Sequence, residues 1–217
     1  CRDMDYLTVR REVEVQFEEK KSIFIGHIKR VESEEEAKEF VERVKSEHKD
    51  ATHNVPAYIV GENRMIQRYS DNGEPQGTAG IPVLEVIKKN GITDTAIVVT
   101  RYFGGILLGA GGLVRAYSRS AADAVKASGI VLKVKGVPLA ITINYDLLGK
   151  VQYLFSNKNW HIENIEYTDE VKILLNCEVD KLDEVKKEVT EICHGTSKFH
   201  MDEEKFYFKG ENRLFTE

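Results

Sequence analysis

Periodicity and punctuation predict an α+β protein of two domains. An α+β domain covers residues 1–136, and a ferredoxin-like βαββαβ domain covers residues 137–217. Three observations carry this reading. Segments that alternate every second residue are interspersed with segments apolar every third or fourth, so strands and helices mix along the chain. The triplet Gly136-Val137-Pro138 interrupts the pattern. After it the order β-α-β-β-α-β runs once, which is the split βαβ arrangement. A length of 217 residues accommodates two such domains.

In the first domain, "LTVRREVEVQF" sets Val9, Val13, Val15 and Phe17 among charged neighbours, a half-buried strand pattern. The chain turns at Lys20–Lys21, and "SIFIGHIKRV" predicts a second strand. Ser33 and Glu36 form a capping box. Ala37, Phe40, Val41, Val44 and His48 then share one helical face. Pro56–Val60 and Met65–Tyr69 read as strands joined across "GENR". The polar run "SDNGEPQGTAG" is a structured loop. Pro82 opens a helix over 81–89 that Asn90-Gly91 stops. "TAIVVTRYF" is nearly continuous β-branched and aromatic sequence, as in a strand buried on both faces. The glycine-rich "GGILLGAGG" leads into a helix from Gly112 to Ser128, closed by Gly129, and "IVLKVK" returns as a strand.

In the second domain, "LAITINY" is a strand, followed by a helix over 147–156 and two strands around "YTDE". Leu182, Val185, Val189 and Ile192 then mark a helix, and the closing strand is expected near Lys205–Lys209.

Hydrophobic residues make up 41% and charged residues 31% of the chain, an ordinary composition for a globular protein with a real core. No apolar run approaches the roughly 18 residues that cross a bilayer, and no signal-peptide core is visible, so no membrane partner and a cytoplasmic location are expected. Cys177 and Cys193 fit neither a disulfide framework nor a paired metal motif. No metal, no cofactor and no catalytic residue is expected. The net charge of −5 argues against indiscriminate nucleic-acid binding, but the charge is unevenly spread. Residues 87–135 hold eight Lys and Arg against two Asp and Glu, and the glycine-rich turn lies inside this basic segment.

That turn fails the strict nucleotide motifs. A dinucleotide fingerprint starting at Gly109 and Gly111 meets Val114, and a Walker A loop starting at Gly104 meets Ala110 where lysine is required. The physical elements of an anion site are nonetheless present. A strand runs into a turn containing Gly104, Gly105, Gly109, Gly111 and Gly112, then into a helix N-terminus with free N–H groups. Arg101 precedes the turn, while Arg115 and Arg119 lie on one side of the helix. Close packing of helix on sheet would require the same glycines, so the residues alone leave both readings open. Asp71 and Glu74 in "DNGEP" suit either acid–base or metal chemistry, or Asx turns that stiffen a loop, and the structural role is favoured. His53 and Asn54 are the His/Asn pair near that loop. Cys177 alternates with apolar residues and is not expected to be a nucleophile.

"YSDNGEPQGTAGIPVLEVI" followed by "GITDTAIVVTRYFGGILLGAGGLVRAYS" resembles the IMPACT/YigZ family, and the likeness runs unbroken from about Lys21 to Val125. Residues from about 140 to 195 look like the C-terminal domain of its bacterial members. The resemblance implies a first domain folded like the second domain of a small-subunit ribosomal protein, also found in elongation factor G and GHMP-type kinases. It implies a second domain like the last, ferredoxin-like domain of elongation factor G. Eukaryotic relatives restrain a starvation-activated kinase of translation initiation by competing for its activator. They carry an extra N-terminal RWD domain that is not expected here, so the resemblance does not carry that partner over. Val55 stands where many relatives have a cysteine after the His-Asn pair, which argues against thiol chemistry there.

The resemblance also implies that His53, Asn54, Asp71, Gly73, Glu74, Arg101 and Tyr102 gather on one surface with the glycine-rich turn and Arg115 and Arg119. In GHMP-type kinases a comparable turn holds a phosphate, an analogy at the level of fold. The expected function is therefore regulation of translation through RNA, the ribosome or a translation factor. The alternatives are a small enzyme acting on a phosphorylated metabolite and a protein-binding adaptor.

Overall fold

The computed structural model describes residues 4–216. The chain divides into two compact units, one covering Tyr6–Val131 and the other running from Leu132 to the end of the described residues.

The first unit contains β1 (Tyr6–Val9), β2 (Val13–Glu19), β3 (Ser22–Arg30), α1 (Glu34–Glu47), β4 (His53–Val60), β5 (Ile66–Tyr69), α2 (Gly80–Lys89), β6 (Thr95–Tyr102) and α3 (Gly109–Ser128). Its main sheet has the order β2-β3-β6-β4-β5, with every neighbouring pair antiparallel. Helix α1 covers one face and α2 and α3 the other. The apolar run in β6 serves both faces alternately, because successive side chains of a strand point to opposite sides. Ile97 and Val99 pack with Phe24, Tyr117 and Ala121 on the α2/α3 side, whereas Ala96 and Val98 pack with Phe40 and Val44 on the α1 side.

The Ser33 cap forms as expected, while the Glu36 side chain reaches one residue further back than a capping box requires. Ser33 Oγ accepts from the Glu36 N–H at 3.1 Å, and the Glu36 carboxylate accepts from the Glu32 N–H at 2.8 Å. Helix α3 begins at Gly109, three residues before the expected Gly112: Gly109 turns the chain in at φ 75°, after Leu108 anchored in the core, and Ala110 and Gly111 make up the first turn.

The second unit begins inside β7 (Ile130–Ile143) and continues with α4 (Leu148–Lys158), β8 (Asn164–Tyr167), β9 (Val171–Glu178), α5 (Leu182–Ile192), β10 (Lys198–Met201), β11 (Lys205–Lys209) and β12 (Leu214–Phe215). The antiparallel order β10-β7-β9-β8 is that of a ferredoxin-like sheet. The closing strand is thus β10, paired with Leu139–Thr142. The segment 205–209 instead pairs with Leu132–Gly136 and makes a hairpin with β12.

Gly136-Val137-Pro138 lies within β7, not between two strands, and the compact units divide at Val131/Leu132. Proline is tolerated here because Val137 and Pro138 fall in the gap between the segments of β7 paired with β11 and with β10. On that side the missing N–H breaks no ladder bond. Cys177 and Cys193 are buried in the core of the second unit. Burial pushes the Cys177 thiol up to about 11, which keeps it protonated and inert near neutral pH.

Candidate functional site

The loop after β5 is held by its own backbone. The Glu74 N–H bonds to the Asp71 carbonyl at 3.0 Å, with both intervening residues at positive φ (Asn72 48°, Gly73 90°). Glycine is needed at 73 for that φ, and the His53 ring packs directly against it. The Asp71 carboxylate accepts from the N–H groups of Gly77 (2.9 Å), Ala79 (3.2 Å) and Gly80 (2.8 Å). It therefore caps α2 from eight residues upstream of Ala79, which makes no side-chain cap of its own. Asp71 stiffens the loop, and its oxygens are committed.

Beneath this loop one oxygen of Glu74 accepts from two donors and faces the His53 ring. Arg101 Nη1 of β6 lies 2.6 Å from Oε1, the Tyr117 hydroxyl of α3 lies 2.9 Å away, and His53 Nε2 of β4 lies 3.3 Å away. His53 Nδ1 is 2.7 Å from the Asn72 carbonyl, so both ring nitrogens face oxygens of the loop. Glu74 and Arg101 are only 7% and 5% exposed. Burial, reinforced by Glu74, holds the Tyr117 phenol well above its ordinary range and keeps it a donor. The Arg101 guanidinium lies near the ring of Phe24 (5.7 Å) and that of the exposed Phe103 (5.4 Å). Its Nε makes no hydrogen bond.

Asn54 and Tyr102 turn away from this cluster. Each is one strand position on from His53 or Arg101, and the strand's two-residue period sends them to the α1 face. There Asn54 accepts from the Thr100 hydroxyl at 2.7 Å, and the Tyr102 hydroxyl lies 2.8 Å from His48 Nδ1. His27, also on this face, lies 3.1 Å from Thr100 Oγ1, and burial and then His48 push it down to about 4. Of the residues expected on one surface, the structure joins His53, Asp71, Gly73, Glu74 and Arg101 and separates Asn54 and Tyr102.

The glycine-rich turn combines both expected roles at different positions. At Gly104 a Cβ would stand 1.9 Å from the Lys21 carbonyl oxygen, so this glycine serves close packing. Gly105 and Gly109 have positive φ (87° and 75°) and shape the turn. The first turn of α3 has no side-chain cap and no acidic residue, and Gly109, Ala110 and Gly111 are exposed. Arg115 folds back over it, with Nη1 3.3 Å from where a Cβ on Gly111 would stand, leaving Gly112 beside Leu108. A shallow hollow beside it is lined by Phe17, Lys20, Leu108, Gly112, Arg115 and Arg119, with Glu19 as its one carboxylate. The Arg119 guanidinium covers the Phe17 ring at 4.0 Å. Phe103, Ile106 and Leu107 extend from the turn, with Leu107 80% exposed. Arg101, expected to flank an anion here, is instead neutralised by Glu74 and buried, since an unpaired guanidinium inside the core would be far more costly.

Sequence reasoning missed Tyr117 and Thr100. Tyr117 was readable as a core residue, and a buried tyrosine hydroxyl needs a partner. Which partner it finds depends on how α3 packs.

Comparison with known proteins is consistent with the two units. The Impact N-terminal domain matches residues 20–125, and a domain of unknown function (DUF1949) matches residues 141–196. The chain is 39% identical to the IMPACT family member YvyE of Bacillus subtilis over 96% of each chain. It is 34% identical to the IMPACT family member YigZ of Escherichia coli, over 85% of this chain and 91% of that one. A solved structure described as a hypothetical protein aligns with a TM-score of 0.59 at 32% identity, covering 93% of this chain and 98% of that one.

Proposed function

The chain belongs to the IMPACT family, and from that premise we propose that it acts in translation or its regulation, in the cytoplasm, by binding the phosphate backbone of RNA at the N-terminal end of α3. One observation carries this reading: a 20-residue helix presents an exposed, uncapped and acid-free N-terminus, with Arg115 folded over it. Free N–H groups, the positive end of the helix dipole and a guanidinium there attract the same ligand chemistry. Arg119 and Lys20 widen the basic surface, and Phe103 offers a ring beside it. The cluster around Glu74 supports this by tying α3, through Tyr117, to the sheet and the loop. Its carboxylate is buried and already held by Arg101 and Tyr117, which favours a positioning role over turnover of a metabolite.

The test is RNA or ribosome binding across a salt series, comparing the wild type with the Arg115→Ala/Arg119→Ala variant. Loss of two phosphate contacts should weaken binding at low salt and reduce the salt slope by roughly 1 to 2. The melting temperature should stay nearly unchanged, because both guanidiniums are exposed. Binding of the same strength and salt slope in the variant would remove this reading. Salt-insensitive association with a protein through Phe103, Ile106 and Leu107 would replace it with the adaptor.

A further inference from the structure

We propose that Glu14, His27 and His48 form a binding site for a divalent transition-metal ion of the zinc type, on the α1 face of the first unit. A carboxylate oxygen of Glu14 and one ring nitrogen from each histidine lie within 4.8 Å of one another. The residues come from β2, β3 and the C-terminal end of α1, brought together by the pairing of Glu14 with His27 across the β2/β3 ladder.

The hydrogen-bond chain behind His27 points to a cation. Asn54 Nδ2 donates to the His48 carbonyl at 3.0 Å, which orients the amide so that Oδ1 accepts from the Thr100 hydroxyl at 2.7 Å. With its proton committed, Thr100 Oγ1 accepts from His27 Nε2 at 3.1 Å. In the neutral ring this leaves the Nδ1 lone pair directed at the Glu14 carboxylate oxygen, 3.2 Å away. Two lone pairs at that distance call for a positive charge between or beside them. The separation also suits two ligands of one tetrahedral ion with bonds of about 2.0 to 2.2 Å.

The surroundings match such a site. Ligating histidines are typically oriented by a hydrogen bond from their second nitrogen, as Thr100 does for His27. Tyr102 pins the His48 ring, which lies 5.0 Å from that of His27. Arg43, which borders the same hollow, is already paired with Glu12, leaving Glu47 as a further carboxylate at the rim. Two imidazoles and one carboxylate select zinc or a neighbouring transition metal over magnesium or calcium, and three protein ligands leave one position for water or a partner's group.

The test is calorimetric titration of the untagged chain with zinc at pH 7.5, alongside thermal melting. We expect one zinc per chain and a melting temperature that rises with zinc concentration. Removing an outer partner of a metal site typically weakens it about 10-fold to 100-fold, so losing a ligand in Glu14→Gln should weaken zinc at least that much. The Glu14 side chain is 68% exposed, so the metal-free melting temperature of that variant should match the wild type. His27→Gln should abolish the site if it folds, and Glu14→Gln carries the test if it does not. Absence of stoichiometric zinc binding, binding unchanged in Glu14→Gln, or magnesium binding as tightly as zinc would each overturn the assignment.

Discussion

A single carboxylate oxygen on Glu74 joins the loop after β5 to β4, β6 and α3. Replacing it by glutamine keeps the shape but leaves Arg101 buried without a counter-charge. Breaking a buried pair in this way costs about 3 to 5 kcal/mol, so Glu74→Gln should lower the denaturant midpoint of the first unit markedly in circular dichroism. A change within ordinary surface-mutation range would show that the cluster does not hold the fold. The same geometry predicts that Arg101→Ala destabilises, unlike the exposed pair Arg115 and Arg119. From the sequence alone Arg101 and Arg115 look alike, as basic residues flanking a glycine-rich turn. What separates them is that Arg101 occupies an inward position on β6, opposite His53 in the ladder.

At the scale of elements, α1 and α2 differ in how far away their caps lie. The Ser33–Glu36 cap was legible because every partner lies within four residues. The cap of α2 was not, because Asp71 reaches it across a loop whose path depends on the turn at Asn72–Gly73. The residues alone suggest that Asp71→Asn should be cheap, keeping an Asx turn. The structure changes that expectation, since an amide has one acceptor oxygen for three N–H donors. Its NH₂ group would face at least one of them. Asp71→Asn should therefore destabilise by about 1 to 3 kcal/mol through unsatisfied donors, measurable by urea titration, with loss of amide exchange protection at Gly77, Ala79 and Gly80. Wild-type protection at those three amides would contradict the remote cap. Strand β7 makes a related point: a Gly-Val-Pro triplet ordinarily punctuates, yet here it continues the strand, with Gly136 paired to Lys205 and Pro138 accepting from the Asp202 N–H at 3.1 Å.

At the scale of the whole chain, the two units have separate cores. Trp160, the one tryptophan of the sequence, packs edge-on to Phe155 at 5.3 Å in the core of the second unit. Ile97→Ala in the first unit should cost about 2 to 5 kcal/mol. It should lower one component of the circular dichroism transition and leave the midpoint of Trp160 fluorescence in place. Fluorescence shifting in step with circular dichroism would mean that the units unfold together.

The sequence by itself determined the mixture of strands and helices, the ferredoxin-like order of the second unit, the basic segment and the family. All of these rest on local period, composition or contiguous motif. Only the tertiary structure decided which faces the side chains share. His53 and Asn54 are adjacent in sequence yet lie on opposite sides of the sheet, while Glu14, His27 and His48 are far apart in sequence and converge. The physical reason is that a strand's period of two assigns neighbours to opposite faces. Ladder register and helix packing then choose the partners across distances that no local pattern encodes.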